Sequence, residues 1–250
     1  MSQKHLVYGL HAVSAALGQE SRQIAGLYCL AGREDQRLQQ LKELASQQGI
    51  PIVQQSRQEL TELAGQAQHQ GVVALLHAPL PPLNEHDLWF LLETLTEDPF
   101  LLVLDEVQDP HNLGACLRTA AVAGVHAVVI PKKGSAQITP AVRKVACGGA
   151  ESVPLIVASN LARVLTELKN KYIWIYGACL EGSQSIYQSA FTGPLALVLG
   201  AEARGLRRLT REHCDGLFHI PQFGQVDSLN VSVATGVCLF EAIRQRLASA

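Results

Sequence analysis

The chain has 250 residues, of which 48% are hydrophobic and 17% charged, and 20 basic against 22 acidic residues give a net charge of −2. This composition predicts one large or two small globular domains and excludes disordered, collagen-like and low-complexity classes. The charge balance excludes a nucleic-acid binder that acts through overall positive charge, but it leaves room for a local basic patch.

Localisation and metal content follow from what the sequence lacks. The longest apolar runs, such as 100–104, are far shorter than the ~20 residues of a membrane span, and no apolar signal core opens the chain. The six cysteines form no C-x-x-C pair, which argues against structural zinc. We therefore expect a cytoplasmic protein without a metal, whose cysteines are mostly small core residues.

Charge and proline content divide the chain into two parts. Residues 1–98 carry a net charge of −5, and residues 99–250 carry +3. Pro79, Pro81 and Pro82 lie within four positions and cannot continue a helix or a central strand. We predict an N-terminal domain over 1–78, an extended linker over 79–98 and a larger domain over 99–250. Because the first part is acidic, any RNA contact there should use a local patch or backbone groups.

Short helices and strands alternate in the first part. In chain order, the pattern predicts an apolar segment at 6–8 and helices at 12–17, 37–47 and 59–64, with strands at 26–30, 51–54 and 71–76. The helix at 37–47 carries Leu38, Leu41 and Leu44 at helical spacing and ends before Gly49. The first part is therefore predicted to be a small α/β domain.

The second part alternates more strongly. The pattern predicts strands at 100–105, 127–130, 153–157, 173–176, 195–199 and 217–220, and helices at 113–123, 141–147, 161–171 and 231–246. Apolar strands that alternate with helices indicate a parallel sheet covered on both faces. Such sheets bind ligands at the carboxyl ends of their strands, so functional residues should follow the strands.

A first cluster of candidate residues follows the strand at 100–105. Pro110 sets a turn, Asn112 stands where a helix N-cap is expected, and Gly114 allows another backbone to approach closely. Arg118 follows on a helix face of small apolar residues, an unusual setting for a solvated charge. Taken alone, the cluster still favours the simpler interpretation that Asn112 is a cap and Arg118 a surface charge.

A second cluster, G-x-E-x-x-G, follows the strand at 195–199 with Gly200, Glu202 and Gly205. Its spacing matches neither the dinucleotide fingerprint nor the phosphate-binding P-loop. The simpler interpretation is that Glu202 pairs with Arg204 or Arg207. As a single short pattern, the cluster has little weight.

A third cluster begins with Ile220 and Pro221 at the end of a strand, and Ser228 and Asn230 then open the last helix. Serine and asparagine are ordinary residues at helix starts, so this cluster alone also favours a structural interpretation. The sequence contains no G-x-S-x-G, which excludes the nucleophile elbow of α/β hydrolases.

Together and in this order, the three clusters resemble the SpoU family of the SPOUT methyltransferases. They match N-x-G-x-x-x-R, G-x-E-x-x-G and I-P followed by S-L-N-V-[SA]-x-A, a conjunction that is highly specific. The Y-G-L-H-A-V opening at 8–13 and H-Q-G at 69–71 are similar to the family's small N-terminal RNA-binding domain. Residues 109–118, 144–148 and 209–215 are most similar to the branch that methylates guanosine ribose in bacterial 23S rRNA. One departure is Glu106, where the family often has glycine.

The resemblance implies a fold, a cofactor and an assembly. The fold is α/β, with a parallel-sheet SPOUT catalytic domain that carries a deep C-terminal trefoil knot beside the small N-terminal domain. The methyl donor is S-adenosyl-L-methionine. The family forms a homodimer through the catalytic domain, and both chains contribute residues to each active site.

The resemblance also implies roles for individual residues. Gly200, Ile220 and Leu229 would line the adenosylmethionine pocket. The catalytic group would comprise Arg118 together with Asn112, Glu202, Ser228 and Asn230. Arg118 would contact the target 2′-hydroxyl, and the resemblance implies that it accepts the proton of that hydroxyl. A guanidinium is almost always protonated, so it could instead hold a phosphate and stabilise alkoxide charge. The sequence leaves both roles open.

The expected reaction is 2′-O-methylation of a guanosine ribose in the peptidyl-transferase region of 23S rRNA, on free rRNA or a ribosome assembly intermediate. A tRNA ribose 2′-O-methyltransferase of the same family is the main alternative, although such enzymes usually lack the N-terminal domain. A non-catalytic RNA-binding protein on this fold is disfavoured because Arg118 and Asn230 are both present. An enzyme acting on a small molecule would leave unexplained the N-terminal domain and the basic run of Arg204, Arg207, Arg208 and Arg211.

Overall fold

The computed structural model describes residues 5–19, 21–33, 35–65, 69–77, 82–201, 204–225 and 228–249. The chain divides into two compact units, Met1–Pro81 and Pro82–Ala250. Within the described ranges, no helix combines the length and the hydrophobicity that crossing a membrane requires.

The first unit is a four-stranded sheet with helices on both faces. Its elements are β1 (His5–Tyr8), α1 (Leu10–Gln19), β2 (Ile24–Leu30), α2 (Gln36–Gln47), β3 (Ile52–Gln55), α3 (Arg57–Leu63) and β4 (Val72–Leu76). The strand order is β1-β4-β2-β3, with β4 antiparallel to both neighbours and β2 parallel to β3. Val72 and Ala74 face the core shared with α1 and α2, whereas Val73 faces Leu60 of α3.

The second unit is built on a seven-stranded sheet. Its first elements are α4 (Glu85–Thr94), β5 (Phe100–Asp105), α5 (Pro110–Val122), β6 (Ala127–Pro131), α6 (Pro140–Ala146), α7 (Gly149–Ser152) and β7 (Leu155–Ala158). The remainder are α8 (Leu161–Asn170), β8 (Trp174–Ala178), β9 (Gln184–Ser185), β10 (Leu195–Gly200), α9 (Arg208–His213), β11 (Gly216–His219) and α10 (Val231–Ser249). The strand order is β7-β6-β5-β10-β8-β11-β9, and every pairing is parallel. The predicted parallel sheet is confirmed.

Both faces of this sheet are buried, which explains why its strands are apolar throughout. Side chains alternate along a strand, so Leu102 and Leu104 of β5 enter one core while Leu101 and Val103 enter the other. Helices α5 and α10 cover the first face, and α4 and α8 cover the second. The central strands are thereby fixed, and their carboxyl ends form a rigid edge.

The structure corrects the prediction of an extended linker over 79–98. Residues 85–94 form α4, whose Leu88 is fully buried in the core of the second unit. The Val157 N–H donates to the Leu83 carbonyl at 2.8 Å, and Glu85 Oε1 accepts from the Ser159 N–H at 2.6 Å. The proline-rich sequence did not indicate that a helix with a buried leucine follows at 85–94.

This boundary also changes the distribution of charge. Five acidic residues of 1–98 lie after residue 81, so the first unit holds six basic and six acidic residues and is neutral. The acidity that the sequence suggested for an N-terminal domain therefore belongs to the segment of α4 in the second unit.

We predict that Leu88→Ala lowers the free energy of unfolding of the second unit by about 2–5 kcal/mol, because it opens a cavity under α4. Phe90→Ala is the matched control on the same helix, since Phe90 is 56% exposed, and it should cost about 0.5 kcal/mol or less. Urea titrations of the full chain provide the measurement. Equal effects of both substitutions would contradict the packing of α4 described above.

Candidate active site

The three clusters of candidate residues meet at the carboxyl edge of the large sheet. Gly200 at the end of β10 is the pairing partner of Asp105 at the end of β5. Strand β8 lies between β10 and β11 in the sheet. The end of β11, which Ile220 follows, is therefore ~10 Å from the end of β10 at Gly200. The rule that ligand residues follow parallel strands therefore located this edge from the sequence.

A buried carboxylate joins two of the loops at this edge. Asp105 Oδ1 accepts from Nε of Arg207 at 2.7 Å, and its Oδ2 accepts from the Arg207 backbone N–H at 3.0 Å. The Asp105 side chain is completely buried, whereas 40% of the Arg207 side chain is exposed. The loop that follows β10 is thus tied to the end of β5.

Glu106, where the SpoU family often has glycine, has a φ of +62°. Glycine adopts this left-handed conformation freely, whereas another residue pays about 1–2 kcal/mol. The Glu106 carboxylate accepts from Nη1 of Arg207 at 3.0 Å, an ion pair that offsets part of this cost. The departure from the family pattern is therefore accommodated by the same arginine that holds Asp105.

Gly200 is required by a close crossing within the chain. A Cβ atom on Gly200 would lie 2.1 Å from the carbonyl group of Gly205 and 2.4 Å from the Leu206 nitrogen. Gly205 has a φ of +61°, and its N–H donates to the Ala201 carbonyl at 2.8 Å, which closes the turn. The G-x-E-x-x-G pattern thus reflects the folding of this loop on itself. Glu202 lies outside the described residues.

The structure corrects the start of the helix after β5. Helix α5 begins at Pro110, and Asp109, not Asn112, is its N-cap, with Oδ1 accepting from the His111 N–H at 2.9 Å. Proline is favoured at this first position because its fixed φ suits a helix. Asn112 instead lies inside the helix, where it is buried and accepts from Nδ2 of Asn230 at 3.0 Å.

Asn230 combines a structural task with this contact. Its Oδ1 accepts from the Ser232 N–H at 2.9 Å, as expected of a residue that opens a helix. Its Nδ2 donates to Asn112, which brings the first and third clusters together. Cys116, one turn after Asn112, continues the contact between α5 and α10, since its Sγ lies 3.3 Å from Oγ1 of Thr235.

The other face of α5 carries Arg118. Residues four apart share a helix face, and Gly114 and Arg118 both face the α6–α7 segment. A Cβ on Gly149 would lie 2.8 Å from the Arg118 Cα, so only glycine permits this approach. Arg118 is exposed, and its Nη1 contacts Sγ of Cys147 at 3.6 Å. Cys147 has a φ of +49°, which turns the chain sharply between α6 and α7.

The loop between β11 and α10 holds the remaining candidates. Ile220 is half-buried against the core, Leu229 is 39% exposed and Ser228 is exposed. Phe223 on the same loop is 98% exposed. Among the described residues of this loop, the backbone groups of 221–225 and 228–229 make no hydrogen bond to the protein. The loop therefore offers apolar side chains together with free backbone donors and acceptors.

The basic run at 204–211 is largely neutralised by acidic partners. Arg207 pairs with Asp105 and Glu106, Arg208 with Glu212 at 2.6 Å, and Arg211 with Glu181 at 3.0 Å. Arg204 is exposed and has no ion-pair partner within the described ranges. The run as a whole is therefore weaker evidence for an RNA-binding surface than the sequence alone suggested.

Three lysines that sequence reasoning passed over lie nearby and are exposed. Lys132 and Lys133 directly follow β6 at the carboxyl edge, and Lys144 lies on α6. None of the three has an ion-pair partner among the residues that the structure describes. The strand-end rule that singled out the other clusters would have found Lys132 and Lys133 as well.

The burial of the cysteines agrees with expectation in part. Cys29, Cys116 and Cys238 are buried, and burial raises the pKa of the Cys238 thiol to about 12. Cys147 is exposed, which differs from the expected core role. In the described part of the chain, no three His, Cys, Asp or Glu side chains are grouped so as to bind a metal ion.

We predict that Asp105→Ala lowers the free energy of unfolding by about 3 kcal/mol, because it leaves the Arg207 guanidinium and N–H without their buried acceptor. Glu212→Ala is the matched control, since it breaks an exposed ion pair and should cost about 0.5 kcal/mol or less. Urea denaturation measures both variants. A loss for Asp105→Ala no larger than that of the control would refute the tie between the two loops.

Comparison with protein families matches both units of the chain. Residues 99–240 match the SpoU rRNA methylase family, and residues 6–82 match the RNA 2′-O ribose methyltransferase substrate-binding family. Among curated relatives, a protein of Pasteurella multocida is 56% identical over 97% of this chain and 98% of its own length. One from Escherichia coli K12 is 53% identical over 96% and 98%, respectively. Both relatives are named 23S rRNA (guanosine-2′-O-)-methyltransferase RlmB.

Solved structures of the same fold include the SpoU methyltransferase AviRb from Streptomyces viridochromogenes in complex with AdoMet. It has a TM-score of 0.66 and 23% identity, and covers 98% of this chain and 91% of its own. The A. aeolicus TrmH/SpoU tRNA modifying enzyme has a TM-score of 0.54 and 31% identity, and it covers 66% of this chain and 85% of its own. With both units matched and the three motifs at one edge of the sheet, the chain belongs to the SpoU family of RNA 2′-O-ribose methyltransferases.

Proposed function

We propose that the protein transfers a methyl group from S-adenosylmethionine to the 2′-hydroxyl of a guanosine in the peptidyl-transferase region of 23S rRNA. The observation that carries this proposal is the 3.0 Å contact between Asn112 and Asn230, which joins two of the three family motifs at the carboxyl edge of the sheet. High identity over nearly the whole length of relatives named for this reaction supports the same substrate.

The loop between β11 and α10 suits the methyl donor. Leu229 and Ile220 present apolar surface for an adenine ring, and the free backbone groups of 221–225 and 228–229 can pair with its polar edge. Gly200 contributes through its backbone only, because the space beside its Cα is filled by Gly205. When bound, S-adenosylmethionine supplies an electrophilic methyl group on a sulfonium.

The protein's own task is to align the ribose oxygen and to manage its proton. With the methyl donor bound, an O–C bond would form as the S–C bond breaks, the sulfonium would become a neutral thioether, and the hydroxyl proton would pass to solvent. Arg118 carries a guanidinium, a planar cationic group that is suited to stabilising negative charge on that oxygen. We therefore assign Arg118 to electrostatic stabilisation, with Asn112 and Asn230 as positioning residues.

We predict that Arg118→Ala lowers kcat by about 10²–10³-fold, as expected for loss of a group that stabilises transition-state charge. Affinity for S-adenosylhomocysteine, measured by calorimetry, should change by about twofold or less, because the arginine is assigned to the hydroxyl and not to the cofactor. Arg118→Lys should restore little, since an ammonium lacks the planar fork. Near-normal turnover of the alanine variant would remove Arg118 from the chemistry.

The presence of the N-terminal unit favours rRNA over tRNA as substrate. The A. aeolicus tRNA modifying enzyme covers only two thirds of this chain, about the share of the second unit. Residues 6–82 match a substrate-binding family, so the RNA has a second surface on which to dock. The protein must then recognise its target site by the shape of the RNA and by unpaired bases, because the overall charge of the protein attracts RNA only weakly.

Mapping of 2′-O-methyl sites in rRNA and tRNA from cells with and without the gene tests the substrate. We predict that one guanosine mark in 23S rRNA is lost and that tRNA marks are unchanged. Loss of a tRNA mark with 23S rRNA intact would refute this substrate while leaving the chemistry in place. Assays on naked rRNA and on partly assembled ribosomal particles, compared by kcat/KM, test our further proposal that the assembling particle is the substrate.

We also propose that the protein works as a homodimer of its second unit. Val233, Phe240 and Leu247 recur at seven-residue intervals on α10 and are 52%, 48% and 75% exposed. Such spacing places them on one face of the helix, which a second copy would cover. Arg118 lies on a face of α5 turned away from the Asn112–Asn230 pair, which favours a site assembled from two chains.

We predict that Phe240→Glu shifts the protein from dimer to monomer in light scattering coupled to gel filtration, because it puts a charge into the apolar stripe. Methyl transfer should fall together with the dimer fraction. Val53→Glu, at a 40% exposed position of the first unit, is the matched control and should leave the dimer intact. A monomeric wild-type protein with full activity would contradict the homodimer.

We infer finally that the second unit contains the trefoil knot of the SPOUT fold. Strand β11 lies between β8 and β9, so the connection from β8 to β9 passes over it. A Cβ on Gly182 in that connection would lie 2.3 Å from the carbonyl carbon of Phe218 in β11. An experimental trace of the chain through 179–231 checks the threading, and an open path for β11 would contradict it.

A further inference from the structure

A cavity of about 380 Å³ lies in the first unit, whereas the three motifs that define the methyltransferase site belong to the second unit. Its lining includes Leu30 at the end of β2, Arg33, Arg57 and Thr61 of α3 and the loop residue His69. The family comparison assigns substrate binding to residues 6–82 as a whole but to no particular place within them. The cavity is concave and large enough for a small ligand.

His69 forms a rigid and uncharged part of this wall. The Gly71 N–H donates to its Nδ1 at 3.1 Å, so Nε2 carries the proton and donates to Oγ1 of Thr61 at 3.1 Å. The Thr61 hydroxyl in turn donates to the Arg57 carbonyl at 2.8 Å. Burial and the nearby Arg57 charge lower the pKa of His69, in agreement with a neutral ring whose hydrogen bonds are already used.

Two arginines line the cavity, but among the described residues only Arg57 brings a positive charge that no carboxylate offsets. Arg33 is held in place, since its Nη1 donates to the Gln70 carbonyl at 2.6 Å and its Nε pairs with Asp35. Arg57 is exposed, and among the described residues its guanidinium has no hydrogen-bond partner. Because the first unit as a whole is neutral, this pair of arginines is a local feature. It fits an anion at the cavity mouth.

We propose that this cavity binds one unpaired nucleotide of the substrate RNA, with its phosphate against Arg57 and Arg33 and its base over Leu30. The proposal rests on the proposed function, because it identifies how the substrate RNA is held. A cavity of this volume excludes a base-paired duplex but admits a single splayed nucleotide. Recognition of unpaired nucleotides is also the usual way in which proteins select sites in RNA.

The test compares Arg57→Ala with Arg37→Ala in the full-length protein. Both variants remove one positive charge from the first unit, but Arg37 is an exposed residue of α2 that does not line the cavity. The probes are a transcript of the peptidyl-transferase region of 23S rRNA for methyl transfer, and a labelled single-stranded RNA of about ten nucleotides for fluorescence anisotropy. Circular dichroism checks that each variant is folded.

We expect Arg57→Ala to raise KM for the transcript and Kd for the single strand by about tenfold, with kcat and affinity for S-adenosylhomocysteine unchanged. Arg37→Ala should change these values by about twofold or less. A duplex of the same length should bind both variants and the wild type equally, because it does not enter the cavity.

Equal effects of the two substitutions, or no effect of Arg57→Ala, would overturn the nucleotide site. If Arg57→Ala weakens binding of the duplex and of the single strand to the same degree, the nucleotide site is also overturned, since that result indicates general attraction to phosphates. If the wild type methylates no rRNA while single-strand binding still depends on Arg57, the nucleotide site stands and the proposed function fails. The two proposals are therefore distinguishable.

Discussion

The buried carboxylate of Asp105 is the constraint on which the catalytic edge depends. It ends the central strand β5, lies beside Gly200 of β10 and accepts two hydrogen bonds from Arg207. A buried charge without such partners would be very unfavourable, so the loop after β10 must return to the place where Arg207 can reach it. That return forces the crossing at Gly205, where no side chain on Gly200 would fit.

Helix α5 follows this edge and packs against different elements on two of its faces. One face, through Asn112 and Cys116, packs on α10 and the loop assigned to the methyl donor. The other face, through Arg118, packs on the α6–α7 turn, where Gly149 allows close contact. Small residues along α5 are what permit packing on both sides. The same arrangement separates Arg118 from Asn112 within one chain, which is consistent with the proposed site shared between two copies.

The sequence was informative where hydrophobic periodicity and strand ends decide the structure. It was less informative where several side chains could serve as the same helix cap or ion-pair partner. The strand at 100–105 was predicted with its observed bounds because an all-apolar run has few alternatives. Helix α4 was missed because adjacent prolines dominated the interpretation, although Asn84 and Asp87 form a capping box. Asn112 was predicted as the N-cap of α5, but the helix begins at Pro110, whose fixed φ suits the first helical position, and Asp109 is the cap. The pairing of Arg207 with Asp105 and of Arg211 with Glu181 depends on partners distant in sequence, which no local pattern reveals.

The exposed thiol of Cys147 gives this protein a built-in attachment point for a spectroscopic reporter. Of the six cysteines, the other five are buried or half-buried, and burial raises the pKa of the Cys214 thiol to about 12. Thiol reagents act on the thiolate, so such groups react slowly. A fluorophore or spin label would be attached to Sγ of Cys147, which lies 3.6 Å from Nη1 of Arg118. Its signal would therefore report the proposed arrival of RNA at this edge of the sheet in real time, without any engineered residue.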